Sequence, residues 1–91
     1  MKHTLSFNAW SRKRLADGRK CLTSRKRAYV NDPIVKYILP PLPWWFIREY
    51  LYRDEGAESP EELERVITSI FRRKVGLNEE FYVHVLRKDM L

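Results

Sequence analysis

The sequence predicts one small α+β domain with about three helices, and three observations carry that expectation. The chain has 91 residues, 44% of them hydrophobic, which is enough for a single core and too little for two. Ser59-Pro60-Glu61-Glu62 opens a stretch in which Leu63, Val66, Ile67, Ile70 and Phe71 recur at helical spacing. Three other segments, His3–Phe7, Ile34–Leu39 and Phe81–Arg87, alternate with the two-residue period of strands. Residues 1–91 are therefore read as a single domain.

In chain order, His3–Phe7 places Leu5 and Phe7 on one face and reads as a short first strand. Asn8 follows where an N-cap belongs, ahead of a short basic helix over Ala9–Asp17. Its cations Arg12, Lys13 and Arg14 are expected to project outward. Gly18 can take positive φ without a Cβ penalty, so it can end the helix and reverse the chain. In a regular strand Lys20 and Leu22 share one face, and Cys21, Thr23 and Arg25 the other. Lys20 and Thr23 meet in one pocket only if the strand begins at about Cys21, leaving Lys20 in the turn. Asn31-Asp32-Pro33 then supplies turn acceptors and a residue that cannot donate to a ladder, before the Ile34–Leu39 strand. Pro40-Pro41-Leu42-Pro43 excludes regular helix and central strand and should run extended.

The next segment, Trp44–Arg53, suits a helix with Trp44, Ile47, Tyr50 and Leu51 as its apolar stripe. Trp45, Phe46 and Tyr52 are left to stack on bases or to fill the core. Core filling is the simpler reading, because a small domain needs large apolar side chains. Ser59 to Glu62 is a capping box: the Ser59 hydroxyl accepts from the Glu62 amide, Glu62 reaches back, and Pro60 sits where no amide is missed. Arg72, Arg73 and Lys74 are placed in the last turn, with Gly76 ending the helix. Both faces of Phe81–Arg87 are mostly apolar, which marks a central, two-sided strand, and His84 within it reads as a hydrogen-bonded core histidine rather than a base.

Charge is distributed unevenly. The chain carries a formal +6, but Ser11–Arg27 alone is +7, from Arg12, Lys13, Arg14, Arg19, Lys20, Arg25, Lys26 and Arg27 against Asp17. Asp54–Glu64 holds six acids and no base. Concentrated positive charge beside aromatic side chains is what a phosphate backbone requires, which points to RNA or another nucleic acid as partner through those eight cations and Thr23. The alternative for the segment is a solvated basic face, and for Arg25 an ion pair with the 54–64 acids.

Gly18-x-Lys20-x-x-Thr23-x-Arg25 resembles the signature of the ASCH domain family, small barrels of the PUA-like group associated with RNA. Glu55-Gly56 followed by Ser59-Pro60-Glu61-Glu62, a helix and a last strand resembles a second block of that family. The resemblance implies a PUA-like, partly open, reduced β-barrel. Between the signature and the following helix this chain departs from the family, with about one strand where the family spends more. Either the barrel is reduced, or the second copy in a homodimer supplies the missing edge. Some relatives with this signature are amidohydrolases acting on N4-acetylcytidine, which implies Lys20, Thr23 and a glutamate, with Glu55 the candidate, as a catalytic set. A third reading makes Pro40–Trp45 a partner-docking surface, which exposure of both Trp44 and Trp45 would favour.

No cofactor is implied. One cysteine excludes an internal disulfide, and Cys21 with His3 and His84 offers too few spaced ligands for a metal. No apolar run approaches a membrane span, and Met1–Phe7 lacks signal-sequence character. The expectation is a cytoplasmic protein without a membrane partner.

Overall fold

The computed structural model describes residues 5–87. The elements are helix α1 (Ala9–Ala16), strands β1 (Leu22–Arg25), β2 (Val35–Ile38) and β3 (Leu42–Pro43), helices α2 (Trp44–Tyr50) and α3 (Pro60–Phe71), and strand β4 (Glu80–Leu86). This is an α+β fold with a four-stranded antiparallel open sheet.

Each of the other three strands pairs with β4. β1 runs along one of its edges, from Leu22 opposite Val85 to Arg25 opposite Tyr82. The other edge is shared: β2 covers His84 to Leu86, and β3 pairs with Phe81 and Glu80. Between these two strands the Leu39 N–H still bonds the Val83 carbonyl at 2.9 Å. The prolines at 40, 41 and 43 therefore break one edge into two short pieces, as residues lacking an amide must. A bulge between Val35 and Tyr37 absorbs a register shift.

β4 alternates between two packed faces. Phe81 and Val83 join Leu22, Trp44, Ile47, Leu63 and Ile67 in the larger core, with Phe81 tilted against both Trp44 and Phe71. Leu86, on the opposite face, packs with Leu5, Ile34 and Val35. The two-sided central strand is as its sequence predicts.

The helices keep their caps and shift their ends. Asn8 accepts from the Ser11 amide at 2.8 Å, and Gly18 takes φ +76° just beyond α1. Ser59 accepts from the Glu62 amide at 3.1 Å, but Glu62 reaches back to the Glu58 amide, at 2.7 Å, rather than to that of Ser59. α3 stops at Phe71, with Arg72 in the left-handed region at φ 58°. Arg72, Arg73 and Lys74 thus lie past the helix, and Gly76 is not its terminator. The Arg73 guanidinium instead binds Glu79, at 2.7 Å.

Three further expectations are corrected. Leu5–Phe7 forms no strand, because the Leu5 amide donates to the Asp32 carboxylate at 2.9 Å instead of to a ladder. His3 and Thr4 lie outside the described residues. The second helix ends at Tyr50 rather than Arg53, and Tyr50 is exposed, so the buried stripe narrows to Trp44 and Ile47.

Candidate functional site

A cavity of about 670 Å³ lies beside the exposed edge of β1. α3 lines it with Leu63, Val66, Ile67, Ile70 and Phe71, and Phe7, Trp10 and Tyr29 add aromatic surface. Lys20, Thr23, Ser24, Arg25 and Glu55 line the polar part, with Lys26 and Arg27 following along the chain. Lys20, Thr23 and Arg25 thus border one hollow.

Lys20 and Glu55 come together through two glycine-dependent turns. Gly18 reverses the chain after α1, and the Arg19 and Lys20 amides both bond the Arg14 carbonyl, at 2.9 and 3.1 Å. Gly56 has φ +103°, and a Cβ there would stand 3.0 Å from the Arg14 Cβ and 3.2 Å from that of Lys20. Only glycine allows so close an approach in that conformation. The result is a buried ion pair, Lys20 Nζ to Glu55 Oε1 at 3.1 Å, with both side chains 4% exposed. Lys20 Nζ also donates to the Glu55 carbonyl at 3.1 Å. The Ser24 hydroxyl donates to the second carboxylate oxygen, Oε2. An ion pair out of water is costly unless its remaining valences are filled, and here both carboxylate oxygens are engaged.

Ser24 is the residue that sequence reasoning missed. The expected hydroxyl, Thr23, lies on the opposite face of β1 and accepts from Arg25 Nε at 3.3 Å. Lys20 and Glu55 are in contact as expected; the hydroxyl that touches the pair is Ser24. The signal was present, because alternation places Lys20, Leu22 and Ser24 on one side, and Leu22 belongs to the core.

Arg25 also lines the cavity. It donates to the Ser6 carbonyl at 2.6 Å and lies over the Phe7 ring, 5.2 Å from its centroid. Among the described residues its hydrogen bonds do not go to the 54–64 acids, which removes that alternative as its structural role. Burial holds its guanidinium below the ordinary arginine value, opposed by Tyr29 and Glu55. Arg27 lies 4.7 Å from the Tyr29 ring centroid.

The other cations divide into paired and exposed. Arg14 does not project outward as expected: it donates to Glu62 at 2.9 Å and to the Gly56 carbonyl at 3.0 Å while stacking on Trp10. Arg19 pairs with Glu58 at 3.1 Å, and Lys26 with Glu79 at 3.4 Å. Arg12 and Lys13 are exposed on α1, away from the cavity lining, and Arg12 bonds the Phe7 carbonyl at 2.6 Å. The acids of 54–64 thus offset part of the basic segment.

Two neighbouring features complete the setting. The Tyr29 amide donates to His84 Nε2 at 3.0 Å, so the proton resides on Nδ1, which bonds the Tyr82 carbonyl at 2.9 Å. Burial pushes the His84 pKa down; it is a fully buried core histidine. On α2, Trp44 is buried and Trp45 is 42% exposed, so the docking reading retains only one of its two tryptophans. Trp45 stands edge-on to Phe46, which leans on Tyr50.

No family model matches this chain. No curated protein and no solved structure matches it either. Among the described residues no helix is long and apolar enough to cross a membrane.

Proposed function

We propose that the chain is an RNA-binding module, ASCH-like and of the reduced PUA-like kind, that takes one unpaired nucleotide into the cavity beside β1. The observation that carries this reading is that one cavity is lined by both apolar or aromatic side chains and cations. α3, Phe7, Trp10 and Tyr29 offer apolar and aromatic surface to a flat heterocycle; Arg25, Lys26 and Arg27 offer cations to the adjoining phosphates. The volume of about 670 Å³ lies within the range of small-molecule pockets. The basic segment contributes less than its charge suggests, because Arg14 and Arg19 are paired with acids.

Fluorescence anisotropy with a short single-stranded RNA, repeated from 50 to 200 mM salt, tests the reading. Two or three phosphate contacts should weaken binding roughly tenfold over that range. Absence of binding, or binding indifferent to salt, overturns it.

A second reading, hydrolysis of an N-acyl amide such as that of N4-acetylcytidine, is favoured by one observation, the Lys20–Glu55 contact at 3.1 Å inside the same cavity. A buried carboxylate and ammonium facing a pocket are the groups from which a proton carrier is built. In this reaction water adds to the acyl carbon, the C–N bond breaks, and the amine leaves with the proton delivered to it. Incubation with N4-acetylcytidine should release acetate, and Glu55→Gln should reduce release at least a hundredfold. A wild-type protein that releases none dismisses this branch and leaves the binding reading standing.

A further inference from the structure

Main-chain hydrogen bonding along β1 alternates in direction, and the bonds on both of its sides establish the phase. The Leu86 amide donates to the Cys21 carbonyl at 3.0 Å, so that carbonyl faces β4, while the Cys21 amide, just ahead of the strand, donates to the Asp54 carbonyl at 2.8 Å. The Leu22 amide donates away from β4, to the Asp54 carbonyl at 3.0 Å. On the far side of β4, Val83 and Arg87 bond Leu39 and Ile34, so the odd positions there serve that edge and the even ones serve β1. With Thr23 opposite His84 and Arg25 opposite Tyr82, positions 23 and 25 face β4. Ser24 therefore turns its N–H and its C=O outward.

At position 22 the outward direction is occupied by the segment carrying Asp54. Ser24, two residues on, lines the cavity and is only 8% exposed. Among the described residues no other group is bonded to its N–H or C=O. A nearly buried main-chain donor and acceptor, side by side, call for a partner.

We infer that the Ser24 main chain reads the hydrogen-bonding edge of the bound nucleobase, its N–H donating to a ring or exocyclic acceptor while its C=O accepts from the adjacent N–H. The inference rests on the nucleotide-binding reading above and narrows it to bases with an intact acceptor–donor edge. Adenine offers N1 and the N6 amino group, and uracil offers O4 and N3–H. Stacking on the apolar and aromatic lining would hold the ring in the plane of the strand edge, while Arg25 and Arg27 meet the phosphate side. A strand edge supplies both groups without a side chain, which explains how the site can be polar while the Ser24 hydroxyl is committed to Glu55.

The test uses nitrogen-15-labelled protein and four nucleosides, followed by amide NMR. Uridine is compared with 3-methyluridine, and adenosine with N6,N6-dimethyladenosine; each methylated analogue keeps the ring and loses the donor. The expected result is a shift of the Ser24 amide on adding uridine or adenosine, with the analogues binding at least tenfold more weakly. The inference is overturned by analogues that bind equally well, by nucleosides that move Phe7 and Tyr29 but leave the Ser24 amide in place, and by no binding of any nucleoside. A Ser24 amide that moves with protein concentration before any nucleoside is added would show the edge to be a pairing surface for a second copy, and also overturns it. Nucleosides that bind in this pattern while single-stranded RNA does not would sink the RNA reading and leave the edge recognition intact.

Discussion

Lys20 and Glu55 are each 4% exposed in side chain, and what each costs alone differs from what the pair costs. Lys20→Met leaves a buried carboxylate with only Ser24 as partner and should lower unfolding free energy by about 3–5 kcal/mol in urea titration. Lys20→Met combined with Glu55→Leu removes both charges and should recover at least half of that loss. Additive losses would show that the two side chains are not coupled in the folded protein. His84 makes a second prediction at this scale. Its folded pKa lies below the ordinary 6.5 because burial disfavours the imidazolium. The unfolded chain therefore binds the proton more tightly, and stability present above pH 6.5 is lost as pH falls toward the folded pKa. Glu79, held down to about 2 chiefly by the Arg73 guanidinium, adds its loss in a lower window, between pH 4.5 and about 2. A melting temperature that is flat from pH 7 to 5 would contradict the His84 assignment.

Local chemistry places most of the elements. Asn8 and Ser59 accept the amides their positions predict, and the α3 stripe buries Leu63 and Ile67 and lines the cavity with all five of its apolar residues. Element ends were less legible. Arg72 adopts φ 58° to stop α3 five residues ahead of the first C-terminal glycine, because Phe71 packs on Phe81 and the Arg73 guanidinium is drawn to Glu79. Leu5–Phe7 has a strand's alternation but no strand partner, since Asp32 captures its first described amide. The turn at Gly56 is the most constrained link between elements. Gly56→Ala should cost about 1–3 kcal/mol from backbone strain alone, and the added methyl meets Arg14 at 3.0 Å and Lys20 at 3.2 Å. A denaturation midpoint unchanged from wild type would show that the turn relaxes and does not position Glu55.

Across the whole molecule, the legible part of the site is its charge and the illegible part is its pairing. Lys20, Thr23 and Arg25 border one cavity as the signature suggested. Arg14 with Glu62 and Arg19 with Glu58 are partners 48 and 39 residues apart in sequence. No spacing rule reveals such contacts, so the net +7 of residues 11–27 overstates what a polyanion would feel. Ser24 escaped for a different reason. Its parity with Leu22 was visible, but the outward turn of its main chain depends on the register with β4.

That register has a temporal consequence. Among the described residues β1, β2 and β3 have no strand neighbour but β4, which follows all of them in the chain. During synthesis the first three strands cannot complete the sheet until residues 80–86 have been added. Leu22 and Val85 close a loop of 63 residues, and so distant a closure makes folding slower than in a helical bundle of this length. The waiting interval, rather than the finished molecule, is when this chain is most exposed to aggregation.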